Sequence, residues 1–209
     1  HRGHPLRDLN IGGGLGIPYR PEDKPEGPEA LAAALRPLLK GRELHLLLEP
    51  GRFIVGPAGA LLTSVLYIKE PSATDQPSII IVDAGMNDLI RPALYDAWHP
   101  IYPAREAEAG NGQAVEIAGP ICESSDFLGH GRQLGTLKPG DLLAVGQTGA
   151  YGFSMSSQYN ARPRPAEVLV SGATATIIRR RENYDDLWGT DDGGLTSPRR
   201  ATGRSSQED

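Results

Sequence analysis

Cysteine is almost absent: Cys122 stands alone in 209 residues. An internal disulfide framework and a cysteine-rich zinc site are both excluded, and a lone thiol fits a reducing, cytoplasmic compartment. No apolar run approaches the roughly 18 residues that a membrane-spanning helix needs, so no membrane partner is expected. The opening HRGHPLRD is basic but leads into no apolar stretch, which is not the pattern of a secretory signal. Positive charge is not concentrated either. The net charge is -5, and only Arg179, Arg180 and Arg181 cluster, at the end of an apolar run where a solvated strand end accounts for them. Nucleic acid is therefore not an expected partner. No metal is expected: His1 and His4 have helical ligand spacing, but Pro5 follows them.

What the chain does have is glycine and proline, 26 and 18 residues, which points to many short strands joined by tight turns. An apolar run over residues 9–11 breaks into Gly12, Gly13 and Gly14. The pattern PEALAAALRPLL predicts a helix over 28–39, with Pro28 in its first turn, Gly41 past its end and Pro37 disturbing its last turn. Residues 44–49 form a continuous apolar stretch, expected as a strand buried on both faces. Together these make one βαβ unit. From residue 53 the character changes to mostly β, with strands expected over 60–69, 78–83, 114–117, 141–145, 167–170 and 174–180, the last two joined by a turn at Ser171 and Gly172. The chain divides as 1–52, 53–184 and a mobile tail from 185, and its opening on a strand reads as a fragment.

Two motifs close the βαβ strands. A glycine run after a strand lets backbone N–H groups approach an anion, although a flexible turn would look the same. It is not a dinucleotide fingerprint, since no register gives G-x-G-x-x-G. The second strand ends in Glu49, Pro50, Gly51 and Arg52. Catalytic groups of α/β barrels sit at the C-terminal ends of strands, but a salt-bridged turn accounts for Glu49 and Arg52 equally well. Cys122 lies between polar neighbours, Glu123 and Asp126, which does not suit a small buried hydrophobe.

The segments LNIGGGLG, LLLEPGRFIVGPAG, VDAGMNDLIRPALYDAWHPI, GPICESSDFLG and GAYGFSMSSQYNARPRPAEVLV, in that order, cover residues 9–184. The chain resembles the fold-type III pyridoxal-phosphate-dependent decarboxylases, whose prototypes act on ornithine, arginine and diaminopimelate. The resemblance implies the C-terminal end of a TIM-like α/β barrel followed by a β-sandwich or β-barrel domain. It implies that Gly12, Gly13, Gly14 and the turn of Gly51 and Arg52 cradle the phosphate of pyridoxal phosphate. It places Glu49 against the pyridine nitrogen and Tyr151 against the cofactor and substrate, where a carboxylate keeps the ring an electron sink. It implies a homodimer with shared active sites, in which Cys122 reaches the partner's cofactor as the proton donor and Glu123 contacts the substrate's distal end.

Residues 88–95 have helical spacing interrupted by Pro92, which predicts a short helix or a single turn. Its Arg91, with Tyr95 beside it, suits a distal carboxylate where diamine-forming relatives carry an acidic residue. That favours diaminopimelate, an amino-acid substrate, over ornithine; carboxynorspermidine and a non-catalytic regulatory relative are the alternatives. Arg52 is a second candidate for the substrate carboxylate. None of Lys24, Lys40, Lys69 and Lys138 stands where a buried amine could bond the cofactor, so the chain alone is expected to be inactive. His45 reads as a plain strand residue, and the motifs assign no role to His99.

Overall fold

A computed structural model describes residues 6–71, 76–105 and 114–189, which form two compact units divided in sequence between Arg164 and Pro165. His1, His4 and residues 190–209 lie outside the described residues. The first unit opens with β1 (Asp8–Asn10), α1 (Pro28–Leu39), β2 (His45–Leu47) and α2 (Gly51–Val55), the last running into a 3-10 turn over Gly56–Ala58. β1 and β2 pair in parallel, with Leu9 opposite Leu46, as a βαβ unit requires. Pro28 starts α1, Glu29 sits in its first turn and Arg36 in its last, so both charges complement the helix dipole.

The expected double burial of β2 is not found. Leu47 and Leu48 are 49% and 44% exposed, and α1 has no buried residue. A parallel strand becomes a buried strand only when helices cover both faces, and here two short strands stand with no covering layer among the described residues.

The rest of this unit is a six-stranded mixed sheet curled towards a closed barrel. Its members are β3 (Leu61–Lys69), β4 (Ser78–Val82), β5 (Ile101–Pro103), β6 (Ala114–Ala118), β7 (Phe127–Gln133) and β8 (Leu142–Val145), with α3 (Arg91–Tyr95) between β4 and β5. The strand order is β5-β8-β3-β4-β6-β7; only β4 and β6 run parallel. β3 makes the curl possible. Its first half, Leu61 to Ser64, pairs with β8, and its second half, from Val65, pairs with β4. At the handover the Asp83 carboxylate accepts the Thr63 hydroxyl at 2.7 Å and the Ser64 N–H at 2.8 Å, which satisfies a polar side chain only 2% exposed. Alternate residues of these strands, among them Val65, Ile80, Val82, Ile117, Leu128, Leu143 and Val145, build one core.

Neither β5 nor β7 is marked in the sequence, because three residues are too few for a pattern and FLGHGRQ carries two glycines and two basic side chains. Among the described residues, the second unit holds a hairpin and a short helix. β9 (Glu167–Ser171) and β10 (Thr174–Arg179) form a hairpin whose turn is Gly172 and Ala173, one residue later than expected, because Gly172 takes the positive φ of 57°. What was expected as the start of a mobile tail is α4 (Asp185–Trp188), where Arg180 donates to both oxygens of Asp186 at 2.7 and 2.6 Å and Tyr184 stacks on Trp188.

The backbone after α2 and the loop after β8 lie against each other. Thr148 N–H donates to Gly59 O at 3.0 Å and Gly149 N–H to Gly56 O at 3.1 Å. A Cβ on Gly59 would stand 2.5 Å from Gly149 Cα, and one on Gly149 would fall inside the van der Waals shell of Val55 O, so only glycine fits at either position. Gly149→Ala is expected to cost about 2 kcal/mol or more, as overpacking against backbone does. Gly51→Ala, at a position with open space around it, should stay within about 0.5 kcal/mol. Urea denaturation of both variants checks the contrast.

Candidate active site

Both glycine-bearing loops stand at the C-terminal ends of the parallel strands. After β1, Gly12 and Gly14 take φ of 71° and 103°, and a Cβ on Gly13 would collide with Glu49 O. Glu49 N–H donates to Gly12 O at 2.8 Å, which locks the glycine loop to the turn after β2. Asn10 fixes both. Its Nδ2 donates to Glu49 Oε1 at 2.5 Å, and its Oδ1 accepts Gly12 N–H at 2.7 Å. Asn10 was not singled out from sequence, yet the Asn two residues before a glycine is the usual signature of such a side-chain turn. The result is an exposed carboxylate in a fixed orientation beside a close-approach cradle of backbone N–H groups.

Tyr151 is brought to this turn by the Gly59 and Gly149 contact. It holds a positive φ of 60°, a conformation uncommon for a bulky residue and found most often where function demands it. Two guanidinium carbons stand close to its ring centre, Arg52 at 5.5 Å and Arg91 at 5.6 Å. Arg91 is only 8% exposed and also lies 5.3 Å from the Tyr19 ring. Such contacts attract a cation by the ring quadrupole, but they supply no negative charge. Neither Arg52 nor Arg91 forms an ion pair among the described residues. Two guanidiniums against one ring, neither with a counter-ion among the described residues, leave donors free for carboxylate or phosphate oxygens. Tyr95, one turn beyond Arg91 on α3, is 61% exposed.

Cys122 and Glu123 lie on a separate loop between β6 and β7, with the thiol exposed. Asp126 holds that loop. Its carboxylate accepts Ile121 N–H at 2.7 Å and Met86 N–H at 2.6 Å, so one side chain staples the Cys122 loop to the loop that leads into Arg91. Burial pushes its pKa up, against the pull of the two N–H bonds and of Arg162. A Cβ at Gly119 would collide with the Asp126 carboxylate, and one at Gly85 would stand 3.0 Å from it, which explains both glycines. Glu123 accepts a hydrogen bond from the Tyr159 hydroxyl at 2.9 Å, and that bond raises the phenol's pKa. Asp126 had been noted only for its polarity, and Tyr159 had not been noted at all, because each acts on a residue far away in sequence.

The chain matches the family model of the pyridoxal-dependent decarboxylase C-terminal sheet domain over residues 38–149, and that of the pyridoxal binding domain over residues 1–56. The chain belongs to the pyridoxal-dependent decarboxylases. Among its relatives, diaminopimelate decarboxylase of Aquifex aeolicus is 50% identical over 184 residues, a match of 88% of this chain and 43% of that protein. Diaminopimelate decarboxylase of Vibrio cholerae is 50% identical over 183 residues, with the same shares covered. The crystal structure of diaminopimelate decarboxylase from Helicobacter pylori complexed with L-lysine superposes with a TM-score of 0.80 at 40% identity, covering 88% of this chain and 44% of that one. The chain thus spans less than half the length of these relatives. Family members are carboxy-lyases with pyridoxal phosphate as cofactor, and the cradle fits that group: glycines where a Cβ would intrude, and a fixed carboxylate beside them.

Asp126→Ala leaves the part-buried Met86 N–H and the buried Ile121 N–H without their acceptor, each worth about 1–3 kcal/mol. The variant is expected to lose about 2–5 kcal/mol of stability, and Asp126→Asn, which keeps one acceptor oxygen, less than half of that. Chemical denaturation of the two variants measures the difference.

Proposed function

We propose that this chain forms the C-terminal part of an enzyme that decarboxylates meso-diaminopimelate to L-lysine and carbon dioxide, working as a homodimer with shared sites. The observation that carries the reading is the two guanidiniums of Arg52 and Arg91, held beside Tyr151 with no ion-pair partner among the described residues. The names of the relatives point the same way. A substrate with carboxylates at both ends needs a cationic site away from the reacting carbon, and a diamine-forming enzyme does not.

Gly13 and Gly14 offer backbone N–H groups to the cofactor phosphate, while Gly12 and Gly51 shape the two turns around it, with Arg52 at the second turn. Glu49, oriented by Asn10, faces the pyridine nitrogen. When bound, pyridoxal phosphate supplies an electron sink for the pair left on carbon as carbon dioxide departs. Arg91, supported by Tyr95 and Arg52, holds the distal carboxylate, and Glu123 of the opposite subunit, oriented by Tyr159, meets the distal ammonium. The C–C bond to the carboxyl group breaks, its electrons stay with the substrate carbon, and the Cys122 thiol of the opposite subunit delivers the proton that completes L-lysine. Lys24, Lys40, Lys69 and Lys138 are all exposed, so none offers the desolvated amine that covalent attachment of the cofactor requires, and the chain by itself is inactive.

Removing one member of a desolvated charge pair costs about 2–5 kcal/mol, which for Arg91→Met corresponds to a fall in kcat/KM of roughly 30-fold to several thousand-fold with meso-diaminopimelate. The measurement is made on the complete holoenzyme with cofactor occupancy checked in both forms. A loss below about fivefold, well under that range, would mean that Arg91 does not meet the substrate.

A further inference from the structure

The most buried titratable group of the described residues has no part in the mechanism above. His99 is fully buried, yet its ring makes one hydrogen bond, from Nδ1 to the carbonyl oxygen of Gly146 at 3.0 Å. Because a carbonyl can only accept, Nδ1 carries the hydrogen, and Nε2 of the neutral ring presents a lone pair. Burial holds the His99 pKa down to about 4, and the nearby Arg91 and Arg132 guanidiniums oppose its charging further, so the ring is neutral at any working pH.

Among the described residues, Nε2 of His99 has no hydrogen-bond partner, and neither have two other buried atoms in the same group of side chains, the Tyr19 hydroxyl and Arg91 Nε. The three are complementary in kind: an acceptor, a hydroxyl that both donates and accepts, and a donor. They belong to rings in contact. Tyr19 meets His99 edge to face, with centroids 5.1 Å apart, and the Arg91 guanidinium stands 5.3 Å from the same Tyr19 ring. A chain of contacts therefore runs from Gly146 through His99 and Tyr19 to Arg91, and on to Tyr151 and Arg52. Its inner end is anchored in the sheet, since Gly146 follows directly on β8 and donates its own N–H to Pro100 O at 2.8 Å. Its outer end is the cationic pair.

An arginine that selects a substrate by its distal carboxylate must hold its planar fork at one angle, and a long side chain resting only on Tyr151 can swing about that ring. We propose that His99 is a positioning residue for substrate selection, acting through Tyr19 to fix the guanidinium of Arg91 at the angle at which it meets the distal carboxylate. This rests on the reading of Arg91 given under the proposed function.

The test is a double-mutant cycle in the complete holoenzyme, with His99→Asn, Tyr19→Leu and Arg91→Met alone and in pairs. Asn keeps a donor for Gly146 O and removes the ring that meets Tyr19. Misplacing a substrate-holding group by an ångström costs on the order of ten- to a hundredfold, so His99→Asn is expected to lower kcat/KM for meso-diaminopimelate by about tenfold, mainly through KM. Inhibition by cadaverine, a diamine with no carboxylate for Arg91 to hold, should change less than about twofold, and His99→Asn should cost no more than about twofold further once Arg91 is already Met. Tyr19→Leu should behave in the same way, and it leaves the His99 site intact if His99→Asn proves too unstable to assay. Losses that multiply in the double variants, or an equal loss of cadaverine binding, would show that His99 and Tyr19 serve the core alone and would overturn the inference. If Arg91→Met is itself without effect, the substrate reading falls, and the positioning role falls with it.

Discussion

The site depends on one approach of backbone to backbone. Gly59 and Gly149 come so close that neither could carry a side chain, and two N–H bonds across the contact hold them there. Everything cationic in the site follows from it. The approach sets Tyr151, in its left-handed conformation, next to the turn that carries Arg52, and Tyr151 in turn serves as the shared ring for Arg52 and Arg91. A single methyl group at either glycine would push the loop outward and separate residues that lie about a hundred positions apart in the chain. The strain at Tyr151 is thus offset by hydrogen bonds that leave the loop no alternative.

A second constraint is electrostatic. Asp126 sits almost fully buried, where a carboxylate is costly, and is kept there by N–H groups from two loops that would otherwise be independent. The loop bearing Cys122 and Glu123 and the loop entering α3 therefore move as one body. Two separate surface loops could drift relative to each other, and the staple removes that freedom. Asn10 does the same on a smaller scale, tying the orientation of Glu49 to the conformation of the glycine loop.

The sequence was legible where periodicity or a short motif carried the information. Helix α1 and strands β3, β4, β6, β8, β9 and β10 lie within a residue or two of where alternation and turn residues put them. The glycine loop, Glu49, Arg52, Arg91 and Tyr151 were found through motif order, and the structure brings Arg52, Tyr151 and Arg91 together. Three kinds of feature were not legible. β5 and β7 are strands by virtue of their neighbours, Pro103 and the two glycines of β7 being poor strand formers in isolation. The exposure of Leu47 and Leu48 depends on what packs over β2, which an apolar run cannot report. The supporting side chains are Asp126 for the Cys122 loop, Tyr159 for Glu123, and Tyr19 with His99 for Arg91; the bonds of Asp126 to Met86 and of Tyr159 to Glu123 cross 40 and 36 residues, and no local pattern marks them.

Under the proposed function, this chain supplies two different parts of a shared site, the carboxylate receptor to one active centre and the proton donor to the other. Mixing Cys122→Ala and Arg91→Met holoenzymes tests it directly. In a two-fold dimer the mixed species would have one centre with both defects and one with neither, so re-equilibration of two nearly inactive variants should restore about a quarter of wild-type activity, the statistical share of intact centres. If Cys122 and Arg91 serve the same subunit's centre, every centre in the mixture keeps one defect, and the activity would stay at the level of the separate variants.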